Sequence, residues 1–429
     1  MKIARAISVI LITSILVSVI TTTLSTIIIS TPIATAAAQT LSTIEKRDVT
    51  IDLEPGGGLQ TKGELTIPAI GDGPFPAVLL IHGSGATDMD EYLPQMVTGT
   101  GNESRPFWQI AEYLSERGFV VLRYDKRGIG ENGTILDLNT YANATAQQFQ
   151  NDAEAALNVL IQQPEADRDK ITIIGHSEGA IIAPRIAVER PEDVQNIVLM
   201  SAAAQPISEI VSYQLVNRAL FFARQDWDAN HDGLLSLEEV FAHPDAPLTI
   251  PAISNNDTAA NPSNATYSVN DSDENSTTLV ATPTPLNITT AIPPQQWVPG
   301  VDANKDTLIN IDQELLPFRL AQLAEFEAIP WFQSHEELNS TTLDIIENLN
   351  STNILILQGE ADIQTPLEQA LMLEQKLTEL GHLDHTLITY PDLGHTFYPA
   401  QGSVQPLGPI REYVLSDLHS WLKDPDRVQ

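Results

Sequence analysis

The chain of 429 residues contains no cysteine. That excludes disulfides, thiolate metal sites and a cysteine nucleophile. Stability must come from packing or from metal sites without thiolates. Basic residues are also scarce, with 22 Lys and Arg against 56 Asp and Glu and a net charge of −34. Phosphate recognition needs clustered Lys and Arg, so the charge balance argues against nucleic acid as a partner. The acid excess favours solubility, cation binding or a salty habitat, and carries no fold information. No long-period repeat is present, so a repeat array is not expected. Between about 247 and 294 there is almost no hydrophobic periodicity. That stretch is rich in Asn, Thr, Ser and Pro and reads as an exposed, flexible linker.

The first residues read as a targeting segment over 1–38. Lys2 and Arg5 precede a long stretch of apolar and hydroxyl residues from Ile7 to Ile29. Ala34-Thr35-Ala36-Ala37-Ala38 follows, as at a signal-peptide cleavage site. The stretch is longer than an ordinary signal core, so an uncleaved membrane anchor is the competing reading. Either way the expected location is extracellular or at the cell surface. Ten N-x-[ST] sequons fit an exported glycoprotein: Asn102, Asn132, Asn143, Asn256, Asn264, Asn270, Asn275, Asn287, Asn339 and Asn350. Five of them fall in the Asn/Ser/Thr-rich linker, where composition alone generates them.

Past this segment strands alternate with helices. Two strands, 48–53 and 63–67, flank the turn Glu54-Pro55-Gly56-Gly57-Gly58. Apolar runs at 77–81, 119–124, 171–174, 196–201 and 353–357 suit strands buried on both faces. Helical patterns cover 106–117, 145–162, 366–380 and 407–423, and His385 to Tyr390 is the last strand. The pattern predicts an α/β fold with a mostly parallel sheet and helices on both faces. The rhythm breaks after Ala204 and resumes at Asn353. The core is therefore expected in two parts, 43–204 and 351–425. An acidic, mainly helical insertion at 205–350 would form a cap, with 21 acidic and 4 basic residues.

Gly175-His176-Ser177-Glu178-Gly179 is the stretch around which the chain is organised. It follows an apolar strand and opens a helix, the setting of a G-x-S-x-G nucleophile elbow. The bland alternative is a helix N-cap serine after a glycine turn. A serine nucleophile needs a base, and the base an orienting carboxylate. Asp362 follows the strand ending at Leu357, with Glu360 as the weaker choice. Its bland reading is a cap on the next helix. His395, in Pro391-Asp392-Leu393-Gly394-His395, follows the last strand and is the candidate base. Asp392 reads as a turn residue. His82 and His176 read as packed beside the site, and His231, His382 and His385 as exposed. An oxyanion needs two preorganised N–H donors. Glu178 would supply one, and Ser84 in His82-Gly83-Ser84-Gly85 the other, with Gly85 as the alternative.

These motifs, with Tyr124-Asp125-Lys126-Arg127-Gly128, resemble the alpha/beta-hydrolase superfamily. The resemblance covers about 43–204 and 353–422. Within the superfamily it is to esterases related to dienelactone hydrolases and to the serine aminopeptidase branch. It implies an alpha/beta-hydrolase fold and acyl-enzyme hydrolysis of a small ester, thioester or amide substrate, without a catalytic metal. Carboxylesterase is the leading expectation, with a peptidase or aminopeptidase on the same triad as the alternative. A non-catalytic calcium-binding surface protein is the rival from another class.

The cap position contains the full pattern D-x-[DN]-x-[DN]-G-x5-E of a calcium loop at 228–239. Asp228, Asn230 and Asp232 would offer side-chain oxygens, and Leu234 its carbonyl. Ser236 would act through water and Glu239 would be bidentate, as in an EF-hand. A second stretch repeats the opening ligands with Asp302, Asn304, Asp306 and Leu308. It departs at Thr307, where the turn glycine belongs, and at Gln313, where the bidentate acid belongs. The expected role of calcium is structural, pairing the two loops across the linker. The bland reading is an acidic surface turn.

Overall fold

The computed structural model describes residues 43–243, 252–253, 296–297, 300–403 and 405–424. The targeting segment expected at 1–38 and most of the linker expected at 247–294 lie outside the described residues.

Eight strands form one sheet: β1 (Ile44–Asp52), β2 (Gln60–Pro68), β3 (Phe75–Ile81), β4 (Val120–Tyr124), β5 (Ala166–His176), β6 (Asn196–Met200), β7 (Asn353–Gly359) and β8 (His385–Tyr390). Their spatial order is β1-β2-β4-β3-β5-β6-β7-β8. β1 and β2 are an antiparallel hairpin, and β2 runs antiparallel to β4. From β4 to β8 every pairing is parallel. The chain enters at β3, steps outward to β4, then returns past β3 to β5. The strand order therefore reverses beside β3 and β5, the switch point at whose carboxyl ends open α/β sheets place their ligands.

The apolar runs divide by strand period. Leu79, Ile81, Ile171, Ile173, Ile197 and Leu199 face one side, under helices α2 (Ala146–Ile161), α3 (Glu178–Glu189) and α6 (Leu367–Leu380). Val78, Leu80, Ile174, Val198, Met200, Leu355 and Leu357 face the other, under α1 (Pro106–Ser115) and α7 (Glu412–Leu422). Each fully buried aliphatic side chain contributes about 1.5–3 kcal/mol. Covering both faces is what permits continuous apolar runs in this parallel sheet. This is the alpha/beta-hydrolase fold that the motifs implied.

Between β6 and β7 the insertion builds a third apolar cluster from Trp227, Leu235, Val240, Val301, Ile309, Leu315 and Phe332. A helical path runs from Ile207 to Trp227, alternating α-helical and π-helical turns. Helices α4 (Leu316–Glu327) and α5 (Pro330–Glu336) complete the cap. Among the described residues no helix is long and apolar enough to cross a membrane.

Several expectations need correction. The last helix starts at Glu412, not Leu407. The amides of Ile410 and Arg411 donate instead to Gln109 Oε1 and to the Phe397 carbonyl. Pro409 between them and the last loop has no amide to give to a helix. β1 and β2 pair over nine residues each, beyond the apolar positions that marked them. His382 and His385 are half-buried rather than exposed, and His382 Nε2 meets the Leu349 carbonyl at 2.6 Å.

Candidate active site

Ser177 stands at the carboxyl end of β5 with φ 54° and ψ −112°. A residue with a Cβ rarely adopts this backbone, and strain of this kind costs about 1–3 kcal/mol. The surroundings hold it there. A Cβ on Gly175 would lie 2.1 Å from the Gly179 carbonyl oxygen, and one on Gly179 would lie 1.9 Å from the Ile81 oxygen. Both glycines are therefore required for strand, turn and helix to approach. The Ser177 amide donates to Met200 O at 2.9 Å, which ties the turn to β6. Ser177 occupies the N-cap position of α3, but its side chain accepts no bond from the helix amides and so does not serve as a cap.

Asp362 and His395 come together at the ends of β7 and β8. His395 Nδ1 donates to Asp362 Oδ2 at 2.8 Å. Asp362 Oδ1 accepts from the amides of Gln364 (2.7 Å) and Thr365 (3.1 Å), and Oδ2 also accepts from Thr365 Oγ1 at 2.8 Å. Burial alone would raise this carboxyl, but the attraction of His395 and these bonds hold it below the usual range. An acceptor-only carboxylate puts the imidazole proton on Nδ1 and leaves Nε2 as the basic nitrogen. Asp362 does not cap the following helix, whose N-cap is Pro366. Glu360, the weaker choice, is exposed and bonded by Thr389 Oγ1. Asp392 sits in a turn at φ 61°.

The loop bearing His395 is fixed from behind. Its carbonyl accepts from Ser201 Oγ (2.9 Å) and His176 Nε2 (3.1 Å). The ring of His176, next to Ser177, lies 4.8 Å from that of His395. Among the described residues no hydrogen bond joins the Ser177 hydroxyl to the His395 ring, whose partners are Asp362 and Thr365. Such bonds commonly tighten only when substrate is bound.

Behind Ser177 lies a second acid–histidine pair. His176 Nδ1 is 3.0 Å from Glu91 Oε2, and Glu91 Oε1 accepts from the Gly83 amide at 2.6 Å. Burial would lower His176, but Glu91 and the His395 carbonyl raise it, while Glu91 is lowered. The Gly83 amide is thus already engaged. The next amide, Ser84, lies on an exposed turn at the end of β3. A Cβ on Gly83 would lie 3.2 Å from Ser177 Cβ, so this loop packs directly on the elbow.

Glu178 opens α3, and its carboxylate is buried in a way the sequence did not suggest. Lys126 Nζ donates to Glu178 Oε2 (2.9 Å) and to the Gly83 carbonyl (2.7 Å). From the cap, Trp331 Nε1 donates to Glu178 Oε1 at 2.6 Å, and His335 Nε2 lies 3.2 Å away. Burial would raise Glu178, but Lys126 and His335 outweigh it and hold the group well below the usual carboxylate range. One carboxylate therefore joins the elbow, the loop after β3 and the cap. Lys126 stood within a quoted motif without a role. Trp331 and His335 had no local signal at all. His82 is buried against Tyr124, and burial, aided by Lys126, lowers it to about 4, so it stays neutral.

The two acidic loops of the cap share one backbone shape. The fourth residues, His231 and Lys305, have φ 58° and 63°, and the sixth, Gly233 and Thr307, have φ 80° and 74°. Leu235 pairs with Ile309 in a two-residue antiparallel bridge. In the first loop Asp228 accepts from the amides of Asp232 and Gly233, Asn230 from Asp232, and Asp232 from Leu234. Glu239 Oε2 accepts from the amide and hydroxyl of Ser236. In the second, Asp302 accepts from Thr307, Asn304 from Asp306, and Asp306 from Leu308. Glu314, not Gln313, folds back onto that loop and accepts from Ala303, Asn304 and Asn310. Asp302 Oδ1 is buried without a partner. Among the described residues no three His, Asp or Glu side chains converge as a metal cluster. The side-chain donors are all oxygens, which suits a hard cation such as calcium.

Comparison with known proteins gives partial matches. Esterase EstD of Thermotoga maritima is 35% identical over 171 residues, 40% of this chain and 35% of the esterase. The chain thus matches about a third of that relative's length. Among solved structures, Est1E from Butyrivibrio proteoclasticus is 14% identical with a TM-score of 0.44, covering 87% of this chain and 97% of that one. The Pyrococcus horikoshii acylaminoacyl peptidase is 14% identical with a TM-score of 0.43, covering 83% of this chain and 38% of that one. The family model described as serine aminopeptidase, S33, matches residues 95–230, which include Ser177. The model of the prolyl oligopeptidase family matches 317–418, which include Asp362 and His395.

Proposed function

We propose that the protein is an exported serine hydrolase that cleaves carboxylic esters through Ser177, His395 and Asp362. The observation that carries this is the convergence of three strand ends. A strained Ser177 follows β5, and a His395–Asp362 pair at 2.8 Å joins the ends of β7 and β8. In the proposed cycle Ser177 Oγ attacks the ester carbonyl carbon while its proton passes to His395 Nε2. Asp362 stabilises the imidazolium that forms. The amides of Glu178 and Ser84 receive the charge that develops on the carbonyl oxygen. His395 returns the proton to the leaving alcohol as the C–O bond breaks. A water then attacks the acyl-Ser177, giving a proton to His395, which passes it to Ser177 Oγ as the acyl C–O bond breaks and the carboxylic acid leaves.

Peptide or aminopeptide cleavage on the same residues is the second reading, favoured by the two peptidase family models. Aryl esters and aminoacyl or peptidyl anilides distinguish the two when wild type and Ser177→Ala are assayed side by side. Ester turnover that falls by about 10⁴-fold or more in Ser177→Ala supports the first reading. Serine-dependent anilide turnover with little ester turnover replaces it with the second. Absence of serine-dependent turnover in both leaves a non-catalytic calcium-binding surface protein, or a substrate outside these two classes, as the better account.

Export and an extracellular or cell-surface location rest on the N-terminal segment at 1–38. The sequons Asn102, Asn132, Asn143, Asn339 and Asn350 are all exposed, as glycosylation would need. A structural calcium in the cap rests on the ligand spacing of 228–239 and on the paired, matching loops. Asp228, Asn230, Asp232, Leu234, Ser236 and Glu239 would hold it. In that role calcium would tie the two halves of a cap that no disulfide joins.

A further inference from the structure

The cap segment 205–350 has 21 acidic residues and only four basic ones, Arg218, Arg224, Lys305 and Arg319. In such a setting every cation should find an acid. Arg224 does, pairing with Asp312 at 2.5 Å, and Lys305 is exposed to water. Arg218 and Arg319 do neither. Both are half-buried, and the Nε of each is buried with no acceptor. Arg218 Nη1 donates to the Ile363 carbonyl at 3.1 Å, and Arg319 Nη1 to Gln322 Oε1 at 2.9 Å. Among the described residues neither has a carboxylate within salt-bridge distance. Burial, together with the repulsion of Arg218, pushes Arg319 down to about 10, so the two guanidinium groups feel each other. Removing a charge from water is costly unless a counter-charge replaces the water.

Arg218 lies beside the proposed catalytic residues, and helix α4, which carries Arg319, packs against the helical turn at 213–217 that leads into Arg218. Ile363, which receives Arg218, directly follows Asp362, and Gln214 on the same helical path donates to the Gln364 carbonyl at 2.8 Å. Burial lowers Arg218, and the attraction of Tyr213 and Asp362 offsets only part of that. Asp362 makes no direct bond to Arg218, because its oxygens are taken by His395, Gln364 and Thr365. Each guanidinium thus keeps a buried Nε donor without an acceptor and has no acid in contact, and a carboxylate is the kind of anion such donors recognise.

We propose that Arg218 and Arg319 form an anion-binding subsite in the cap, and that the preferred substrates are esters carrying a carboxylate in the part that reaches it. This rests on the hydrolase reading above. Although the cap is acidic as a whole, this arrangement argues for an anionic group on the substrate.

The test compares matched substrates. On the acyl side these are p-nitrophenyl hydrogen adipate and p-nitrophenyl methyl adipate. On the leaving-group side they are 4-acetoxybenzoate and its methyl ester. In wild type kcat/KM for the anionic member of at least one pair is expected to exceed its neutral partner about tenfold or more. That ratio should fall about tenfold in Arg218→Met and again in Arg319→Met, the scale of one charged hydrogen bond each. Arg218→Gln and Arg319→Gln serve where the methionine variants fail to fold. Ratios near one for both pairs, or ratios that the variants leave in place, would overturn the proposal. Adipate binding to Ser177→Ala, measured by calorimetry, separates this from the hydrolase reading. Binding that the arginine substitutions abolish upholds the subsite even without turnover, and no binding rejects it.

Discussion

Ser177 works at a backbone angle that an ordinary residue avoids, and its neighbours enforce that angle by leaving no room for a Cβ. Gly179→Ala would drive a methyl into the Ile81 carbonyl. We expect a loss of about 1–3 kcal/mol or more from overpacking. A displacement of Ser177 near 1 Å would also lower kcat about 10²-fold, which urea titration and ester kinetics would measure together. Lys126 is a positioning residue. It grips the Gly83 carbonyl and the Glu178 carboxylate, so it sets both candidate oxyanion amides at once. Lys126→Met breaks a buried ion pair and should cost about 3–5 kcal/mol. It should lower kcat more than it raises KM, a split that destabilisation alone would not produce in the folded fraction. At this scale the placement of Ser177, Asp362 and His395 at strand ends, and the pairing of the last two, were legible because each lies in a short motif after a strand. The Glu178 contacts were not. Trp331 is 153 residues away in sequence, and no local pattern announces a partner at that distance.

Among elements, the core strands were legible wherever the apolar run was continuous, as at Leu79 and Ile173, because burial on both faces leaves no polar interruption. β1 and β2 extended further than expected because edge pairing recruits charged residues such as Lys46 and Lys62 that hydropathy does not mark. The last helix lost its first turn to tertiary bonds at Ile410 and Arg411, which sequence periodicity does not register. In the cap, the departure at Thr307 did not change the loop's path. Thr307 takes φ 74°, the place of the glycine in the first loop. A β-branched residue is strained there, so Thr307→Gly should stabilise the protein by about 1 kcal/mol. The measurement is the urea midpoint, and an unchanged or lower midpoint would contradict the strain. If calcium holds the first loop, saturation at about 100 times its Kd adds about 2.7 kcal/mol. Chelator should then lower the Tm of wild type but not of Asp228→Ala. Equal Tm values for wild type with calcium and with chelator would contradict the calcium role.

Across the whole molecule, stability depends on ionised acids held in a strongly negative chain. Asp362, Glu91 and Glu178 all titrate below their ordinary values in the folded state. Their contribution is present above the unfolded values, 3.8 for Asp and 4.5 for Glu, and is lost as pH falls through the folded ones. His176 is raised, so its contribution is present below 6.5 and is lost as pH rises through its folded value. Urea midpoints across pH should therefore fall on both sides, and Glu178→Gln should flatten the acid limb. Net self-repulsion at −34 should also weaken as salt shortens the Debye length from about 10 Å at 0.1 M to about 3 Å at 1 M.

The central claim is that Ser177 is the nucleophile. Its most direct test is covalent capture: treat the folded protein with a fluorophosphonate, digest it and locate the added mass. The account predicts one equivalent on the peptide bearing Ser177, with labelling abolished in Ser177→Ala and slowed in His395→Ala. Labelling at another residue, or equal labelling of wild type and Ser177→Ala, would contradict it.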